Sequence, residues 1–413
     1  MERLISFLGL FVMILLAWLM SSHKRKFPWR IVVAGVVLQF LLAIITLKTA
    51  PGQAFFDAIG QFFTKILEFT DKGSEFVFGK ETFREHFFAF KVLPTIIFFS
   101  CFMSILYYLG VMQLLVKGLA IVMQQTLATS GAETLSASAN IFLGQTEAPL
   151  VIRPYLPTMT MSELNAVMVG GFSTISGGVL AAFVGMGINA GHLVTASVIS
   201  APAALLIAKV LHPETEKPMT LGIVKVEPPR TGANVIEAAA IGASDGLKLA
   251  LNVAAMLIAF MALIAMGDYL IQALGDGVAH YLGFAPARDW SLQNGLGALF
   301  SPMAWLMGIE WKDCGRAGEL LGLKMFANEF VAYEMLGGWL QKDSAVKLEP
   351  RTVAIMTYAL CGFSNFASIG IQIGGLGAMA PERQGDLARL GLRAMLGGTL
   401  ACLMTACVAG MLI

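Results

Sequence analysis

Charge is what this sequence has least of. Only 13% of its 413 residues are charged, against about 25% in an ordinary soluble domain, while 57% are hydrophobic. A soluble chain of that composition has too few ionic groups to cover its surface, which excludes a cytosolic enzyme and a disordered protein. The formal net charge of +1 gives no sign of a polyanion partner, so no nucleic acid is expected. Cysteine is scarce as well. Cys101, Cys314, Cys361, Cys402 and Cys407 are odd in number, lie mostly inside apolar runs and form no CxxC, so they read as small hydrophobes. The five histidines, His23, His86, His192, His212 and His280, show no metal spacing, and their expected role is at span ends and in loops. HExxH, P-loop and dinucleotide fingerprints are absent, so no cofactor is expected and direct use of ATP is disfavoured.

What the chain does have is apolar length. Runs at roughly 4–20, 29–48, 89–111, 162–187, 192–211, 246–274, 352–378 and 390–413 make eight candidate crossings of a lipid bilayer. The fold class expected is all-α, a polytopic membrane protein. The first run is followed, not preceded, by Lys24-Arg25-Lys26, and no small-residue cleavage site stands before Lys24, so it reads as a retained helix. The loop His23 to Arg30 holds four Lys/Arg and no acid, which makes it cytoplasmic and puts both termini outside. Arg383, Arg389 and Arg393 agree with that orientation. Lys342, Lys347 and Arg351 on an outer loop oppose it, partly offset by Asp343 and Glu349.

Three other segments have distinct characters. Over 53–72, Gln53, Asp57, Gln61, Lys65, Glu68 and Lys72 recur every three or four positions against a phenylalanine-rich face, the pattern of an interfacial amphipathic helix. Gln113, Lys117 and Gln124 give 112–127 the same reading. The run 247–274 is the opposite: 28 helical residues span ~42 Å against a ~30 Å hydrocarbon core, so the helix must tilt, as a scaffold element would. The polar, proline-containing stretch 212–234 is the natural linker between two halves.

An internal repeat carries the functional signal. Ala139-Asn140-Ile141-Phe142 is matched by Ala327-Asn328-Glu329-Phe330, 188 residues on, and Gly171-Phe172-Ser173-Thr174 by Gly362-Phe363-Ser364-Asn365, 191 residues on. Three crossings separate the two units, an odd number, so the copies are inverted in the membrane. Inverted repeats with interrupted segments at matching positions point to a secondary transporter with a site near the midplane. Residues 132–143 and 150–157 are too short to cross and fit a helical hairpin that enters and leaves on one side. Gly171, Gly177 and Gly178 license a break in the helix 162–187. Unpaired backbone at such a break or tip survives only when buried in protein or facing a wet cavity.

Glu147 and Glu329 lie in these interrupted segments, where an acid costs ~2.5–3.5 kcal/mol at the bilayer centre. They are either carboxylates that accept hydrogen bonds from a neutral, hydroxyl-rich solute, or structural groups paired with backbone or, for Glu147, with Arg153. Asn140, Gln145, Thr146, Thr174, Asn365 and Ser368 are neutral hydrogen-bonding groups near the same breaks, any one of which alone could be helix–helix glue. Phe363 could stack on a ring or fill the core. An intramembrane serine hydrolase is a poor rival, because Gly171-Phe172-Ser173-Thr174-Ile175 fails GxSxG at its last position. A channel would not need two hairpins carrying carboxylates.

The segment Asn140-Ile-Phe-Leu-Gly-Gln-Thr-Glu-Ala-Pro149, with Ala327-Asn-Glu-Phe330 and Cys361-Gly-Phe-Ser-Asn365-x-x-Ser368, resembles the concentrative nucleoside transporter family, in particular its bacterial sodium-coupled members. The resemblance extends over essentially the whole chain. It implies eight transmembrane helices plus two re-entrant hairpins and interfacial helices, a homotrimer in the bacterial inner membrane, and an elevator mechanism. It divides the chain into scaffold (1–111), first transport repeat (112–211), linker and scaffold helix (212–275) and second transport repeat (276–413). It implies that Gln145, Thr146 and Glu147 hold the nucleobase with Val179 beside them. Glu329, Asn365 and Ser368 would bind the ribose hydroxyls with Phe363 packing nearby. Sodium, the coupling ion, would be held by the Asn140 side chain, the Thr174 hydroxyl and the carbonyls of Leu143 and Ile175.

Overall fold

The computed structural model describes residues 1–79, 88–221, 232–282, 291–341 and 343–413, without the side chains of residues 56, 57, 278–280 and 282. His86, Lys342 and residues 222–231 of the linker lie outside the described residues, as do the side chains of Asp57 and His280. No strand occurs among the described residues. The helices, in chain order, are α1 (Glu2–Leu19), α2 (Trp29–Lys48), α3 (Ala50–Phe78), α4 (Leu93–Tyr108), α5 (Val111–Leu127) and α6 (Gly131–Ala139), the last followed by a 3-10 segment (Ala148–Thr158). Then come α7 (Met161–Phe172), α8 (Gly177–Gly185), α9 (Ala190–Leu211), α10 (Val235–Leu282), α11 (Leu292–Leu306), α12 (Trp311–Phe326), α13 (Glu329–Trp339), α14 (Pro350–Leu360), α15 (Phe366–Met379) and α16 (Gln384–Leu412).

Seven helical stretches among the described residues are long and apolar enough to cross a membrane. The eighth expected crossing, 352–378, is α14 and α15, separated by Cys361–Asn365, so neither half has the length alone. The two amphipathic patterns are the helices α3 and α5. Thr49 caps α3 by accepting from Gly52 N.

From α4 onward one series of elements occurs twice. A first helix (α4, α10) is followed by a second (α5, α11), a hairpin (α6 with the 3-10 segment, α12 with α13), a broken helix (α7–α8, α14–α15) and a closing helix (α9, α16). The inversion is visible in where the hairpins are rooted. Gly131 N, at the first root, donates to Thr220 O, and Arg383 donates to Met159 O at the other arm's end. These lie at the end of the molecule where Ser22 N donates to Leu211 O. The second root lies at the opposite end: Ser6 donates to Met307 O, Arg351 to Gly410 O, and Lys312 pairs with Glu349.

Local sequence accounts for the hairpin arms. Ser130 and Glu133 form a capping box that starts α6, and Thr160 with Glu163 forms another at α7. The return arm of the first hairpin is 3-10 rather than α because Pro149, Pro154 and Pro157 remove three donors from it. Gly171 does not break its helix, contrary to expectation. It lies inside α7, and the break is Ser173–Ser176. Its bareness serves clearance, since a Cβ there would stand 2.6 Å from Gln372 Nε2 and 3.0 Å from Gln145 Cβ.

The long helix read from the sequence as a scaffold element departs from expectation too. It spans 48 residues, ~72 Å, rather than 28, and runs past residue 275. Hydropathy located only its apolar middle, because Glu237, Asp245 and Asp276 interrupt the run without breaking the helix. The most apolar stretch of α10 is only 17% buried, whereas that of α9 is 89% buried at the centre of the fold. The five cysteines are free, and all but Cys101 are buried.

Candidate functional site

The tip of the first hairpin, residues 140–147, docks on both broken helices. Phe142 O accepts from Gly177 N at 3.0 Å, fixing the tip to the start of α8. Gln145 reaches the other repeat. Its Nε2 donates to Ser368 Oγ at 3.2 Å, and its Oε1 accepts from Gln372 Nε2 at 3.1 Å. Gln372 Nε2 also donates to Met168 O at 3.1 Å. Thr146 lies against α15, where a Cβ on Gly375 would come 2.7 Å from its Cγ2. Val179 is buried in α8.

The second hairpin meets the break between α14 and α15. Glu329, 3% exposed at the start of α13, accepts from Asn365 Nδ2 at 3.0 Å. Asn365 caps α15, its Oδ1 accepting from Ser368 N at 2.8 Å. The two breaks touch each other, with Phe363 N donating to Thr174 O at 3.3 Å. Phe363 is half-buried. Gln145, Ser368, Asn365 and Glu329 therefore form one hydrogen-bonded chain running from one hairpin to the other.

Glu147 stands apart from that chain. It accepts from Gly144 N at 3.1 Å and is exposed toward a cavity of about 210 Å³. Tyr107, Gln113 and Asp245 face it there from α4, α5 and α10. No ion pair joins it to Arg153 among the described residues, and Arg153 is exposed. The two acids thus have different settings: Glu329 is enclosed and bonded, Glu147 open at the edge of a cavity.

Of the residues expected to hold a cation, Asn140 and Thr174 both lie against Gly170, where an added Cβ would stand 3.2 Å from Asn140 Nδ2 and whose carbonyl accepts from Thr174. Asn140 is 1% exposed, and neither its Oδ1 nor its Nδ2 has a hydrogen-bond partner. A buried amide left unpaired costs ~1–3 kcal/mol, which an added ligand could relieve. Thr174 donates to Gly170 O at 3.1 Å, so its hydroxyl lone pairs remain for another contact. Ile175 is buried, and Leu143 is half-buried at the tip. An amide, a hydroxyl and carbonyls are hard oxygen donors and fit an alkali cation. No group of three or more His, Cys, Asp or Glu side chains able to hold a metal occurs among the described residues.

Charges outside the crossings follow simple causes. Glu349 and Glu310 hold the Lys312 ammonium above the ordinary lysine range at the second hairpin's root. Burial lowers His212, just beyond α9, with Arg393 and His23 adding to the effect. The residue missed by sequence reasoning is Gln372, fully buried and bonded to both Gln145 and Met168. Its signal was a lone amide inside an apolar crossing, but it has no polar counterpart in the first repeat, where Ala181 stands.

Comparison with known proteins gives a consistent result. Residues 192–410 match the family model described as the C-terminus of Na+ dependent nucleoside transporters, and 8–81 match the model of their N-terminus. Residues 89–190 match a model described as nucleoside recognition. The chain is 46% identical over 423 residues to solute carrier family 28 member 3 of Homo sapiens, covering 100% of this chain and 60% of that protein. The chain thus spans about three-fifths of the human relative's length. An uncharacterized transporter of Haemophilus influenzae is 45% identical, with 100% and 98% covered. CNTnw, solved in an inward-facing substrate-bound state, is 43% identical over 100% of this chain and 98% of its own, with a TM-score of 0.90. A CNTnw variant in an outward-facing state gives 0.92.

Proposed function

This chain belongs to the Na+ dependent nucleoside transporter family, and from that premise we propose that it imports nucleosides such as uridine, cytidine or adenosine, driven by sodium entering down its gradient. The observation that carries the reading is the chain of hydrogen bonds from Gln145 through Ser368 and Asn365 to Glu329. It joins both hairpin tips to one break and offers acceptors and amides rather than a cationic clamp. Such a set matches an uncharged solute with several hydroxyls. In this reading Gln145, Thr146 and Glu147 contact the base beside Val179, while Glu329, Asn365 and Ser368 take the ribose hydroxyls and Phe363 packs nearby.

Sodium binds at Asn140, Thr174 and the carbonyls of Leu143 and Ile175, ordering the hairpin tip before the nucleoside arrives. By linkage, each ligand tightens the other equally. One Na+ entering through ~100 mV gains ~2.3 kcal/mol, and a tenfold gradient adds ~1.4 kcal/mol. The total supports accumulation of several hundredfold.

The protein works as a homotrimer in the bacterial inner membrane with both termini periplasmic. A scaffold of α1–α4 and α10 carries a mobile unit, made of the hairpins and the broken and closing helices, that moves as an elevator. The 210 Å³ cavity supports that division, because α4 and α10 face Glu147 across it. The deciding experiment is uptake of radiolabelled uridine by proteoliposomes with and without an inward sodium gradient at fixed pH. Saturable uptake that collapses with the gradient is expected. Uptake that ignores sodium but follows a proton gradient would replace the ion, and non-saturating flux would make the protein a channel.

A further inference from the structure

One buried amide decides which way another one faces. Gln372, in α15, is fully buried, and its Nε2 lies 3.1 Å from Met168 O and 3.1 Å from Gln145 Oε1. A backbone carbonyl can only accept a hydrogen bond, so the Gln372 amide must turn its nitrogen toward Met168. That nitrogen presents its second hydrogen to Gln145, and the atom it meets must be an acceptor, the Gln145 oxygen. Reversing both amides together would keep the bond between them but set Gln372 Oε1 against Met168 O, two buried oxygens with no proton to share. The carbonyl of α7 therefore breaks a tie that the two side chains alone could not.

The consequence reaches the tip of the first hairpin. With its oxygen turned to Gln372, Gln145 turns its nitrogen the other way, where one N–H donates to Ser368 Oγ at 3.2 Å. The second N–H has no partner among the described residues. The oxygen side is closed by α7, since a Cβ on Gly171 would stand 2.6 Å from Gln372 Nε2 and 3.0 Å from Gln145 Cβ. Two residues along the same tip, Glu147 accepts from Gly144 N through one oxygen and keeps the other as a free acceptor. The tip thus offers a fixed donor at Gln145 and an acceptor at Glu147.

We propose that Gln372 is a positioning residue that makes the site selective for nucleosides whose base carries a ring carbonyl next to a ring N–H, as in uracil and hypoxanthine, over those with an exocyclic amino group there, as in cytosine and adenine. A carbonyl oxygen accepts from the fixed Gln145 N–H, and the neighbouring ring N–H donates to Glu147. An amino group in the same place meets that N–H donor to donor, and the ring nitrogen beside it, now an acceptor, meets a carboxylate. Either mismatch leaves buried polar groups unpaired. A site built around a hydrogen bond rejects an analogue that cannot make it far more strongly than an apolar pocket rejects a change of size. Gln372 touches no substrate in this scheme; it acts through Gln145. The inference rests on the nucleoside reading of the site and ranks the nucleosides within it.

The test is equilibrium binding of matched pairs to the purified protein at saturating sodium, by calorimetric titration: uridine against cytidine, and inosine against adenosine. Each pair shares its sugar and ring system and differs by carbonyl for amino, so losses common to both members cancel in the ratio. Wild-type protein is expected to bind the carbonyl member about tenfold or more tightly in each pair. Gln372→Met, similar in length but without the amide, leaves Gln145 free to turn either end to the base, and both ratios are expected to fall within about threefold of one. A structural role alone would weaken both members and leave the ratios at wild-type values. Gln145→Glu covers the case in which the methionine variant does not fold. It puts an oxygen on both sides, while Gln372 Nε2 keeps an acceptor and Ser368 Oγ can donate instead. It is expected to invert the preference toward cytidine and adenosine. Wild-type ratios within about threefold of one, a methionine variant with wild-type ratios, or a Gln145→Glu variant that still prefers uridine and inosine would each overturn the proposal. Wild-type protein that binds none of these nucleosides at saturating sodium would instead refute the nucleoside reading beneath it.

Discussion

Replacing Glu329 by glutamine isolates the charge of the proposed ribose-binding acceptor while keeping its shape. Glu329 accepts from Asn365 Nδ2 at 3.0 Å, and a glutamine Oε1 can accept the same bond, so Asn365 keeps its partner and its cap on α15. What changes is the strength of bonds offered to the sugar. A hydrogen bond to a charged group contributes ~1.5–3 kcal/mol, a neutral one ~0.5–1.5. If two ribose hydroxyls donate to the carboxylate, Glu329→Gln loses ~2–3 kcal/mol, about 30- to 150-fold in affinity. Calorimetric titration of purified protein with uridine at saturating sodium reads this directly. The same titration with 2′,3′-dideoxyuridine supplies the control, since a ligand without those hydroxyls should bind wild type and variant nearly alike. A Glu329→Gln protein that still prefers uridine over the dideoxy compound by the wild-type factor would remove Glu329 from sugar recognition.

Other expected outcomes follow from the same geometry. Asn140→Ala should raise the sodium concentration needed for half-maximal uptake by tenfold or so, ~1.4 kcal/mol, while leaving nucleoside selectivity intact; unchanged sodium activation would place the ion elsewhere. Gly171→Ala puts a Cβ 2.6 Å from Gln372 Nε2 and should cost ~1–3 kcal/mol, seen as a lower melting temperature in detergent. Lys209 Nζ lies 2.7 Å from Glu133 Oε2, with side-chain exposures of 3% and 1%. Lys209→Met should therefore destabilise by ~3–5 kcal/mol, and Glu133→Gln in the same chain should restore part of the loss. Thermal unfolding of single and double variants checks this, and additive losses would refute the coupling.

Most of the architecture was readable because lipid forces a simple code. Seven of the crossings appear as apolar runs, and the amphipathic helices α3 and α5 as three-to-four-residue periodicity. The repeat located both hairpin tips from a few identical residues. Legibility failed where burial in protein replaced burial in lipid. Helix α12 carries Lys312, Asp313, Arg316, Glu319 and Lys324, a pattern that hydropathy reads as solvent-exposed. The fold encloses three of them: Asp313 accepts from Thr352 Oγ, Glu319 from Arg316 Nη1, and Lys324 donates to a helix end. The ends of α10 were hidden for the converse reason, polar residues on a helix that extends past the apolar zone. Gln372 was not singled out, because a lone amide inside an apolar crossing carries no motif and reads as helix–helix glue.

The pair of bonds between Gln145 and its partners Gln372 and Ser368 has a mechanical consequence. They rivet the jaw contributed by one copy to the body contributed by the other, inside a space where water offers no replacement partner. Swinging that jaw open by itself would strand both amides at ~1–3 kcal/mol for each buried group left unpaired, holding such an excursion to a small fraction of molecules. In the proposed elevator, cargo would be exposed at lower cost, because both copies would travel together as one block with the rivets intact and the sliding confined to the seam against the stationary frame.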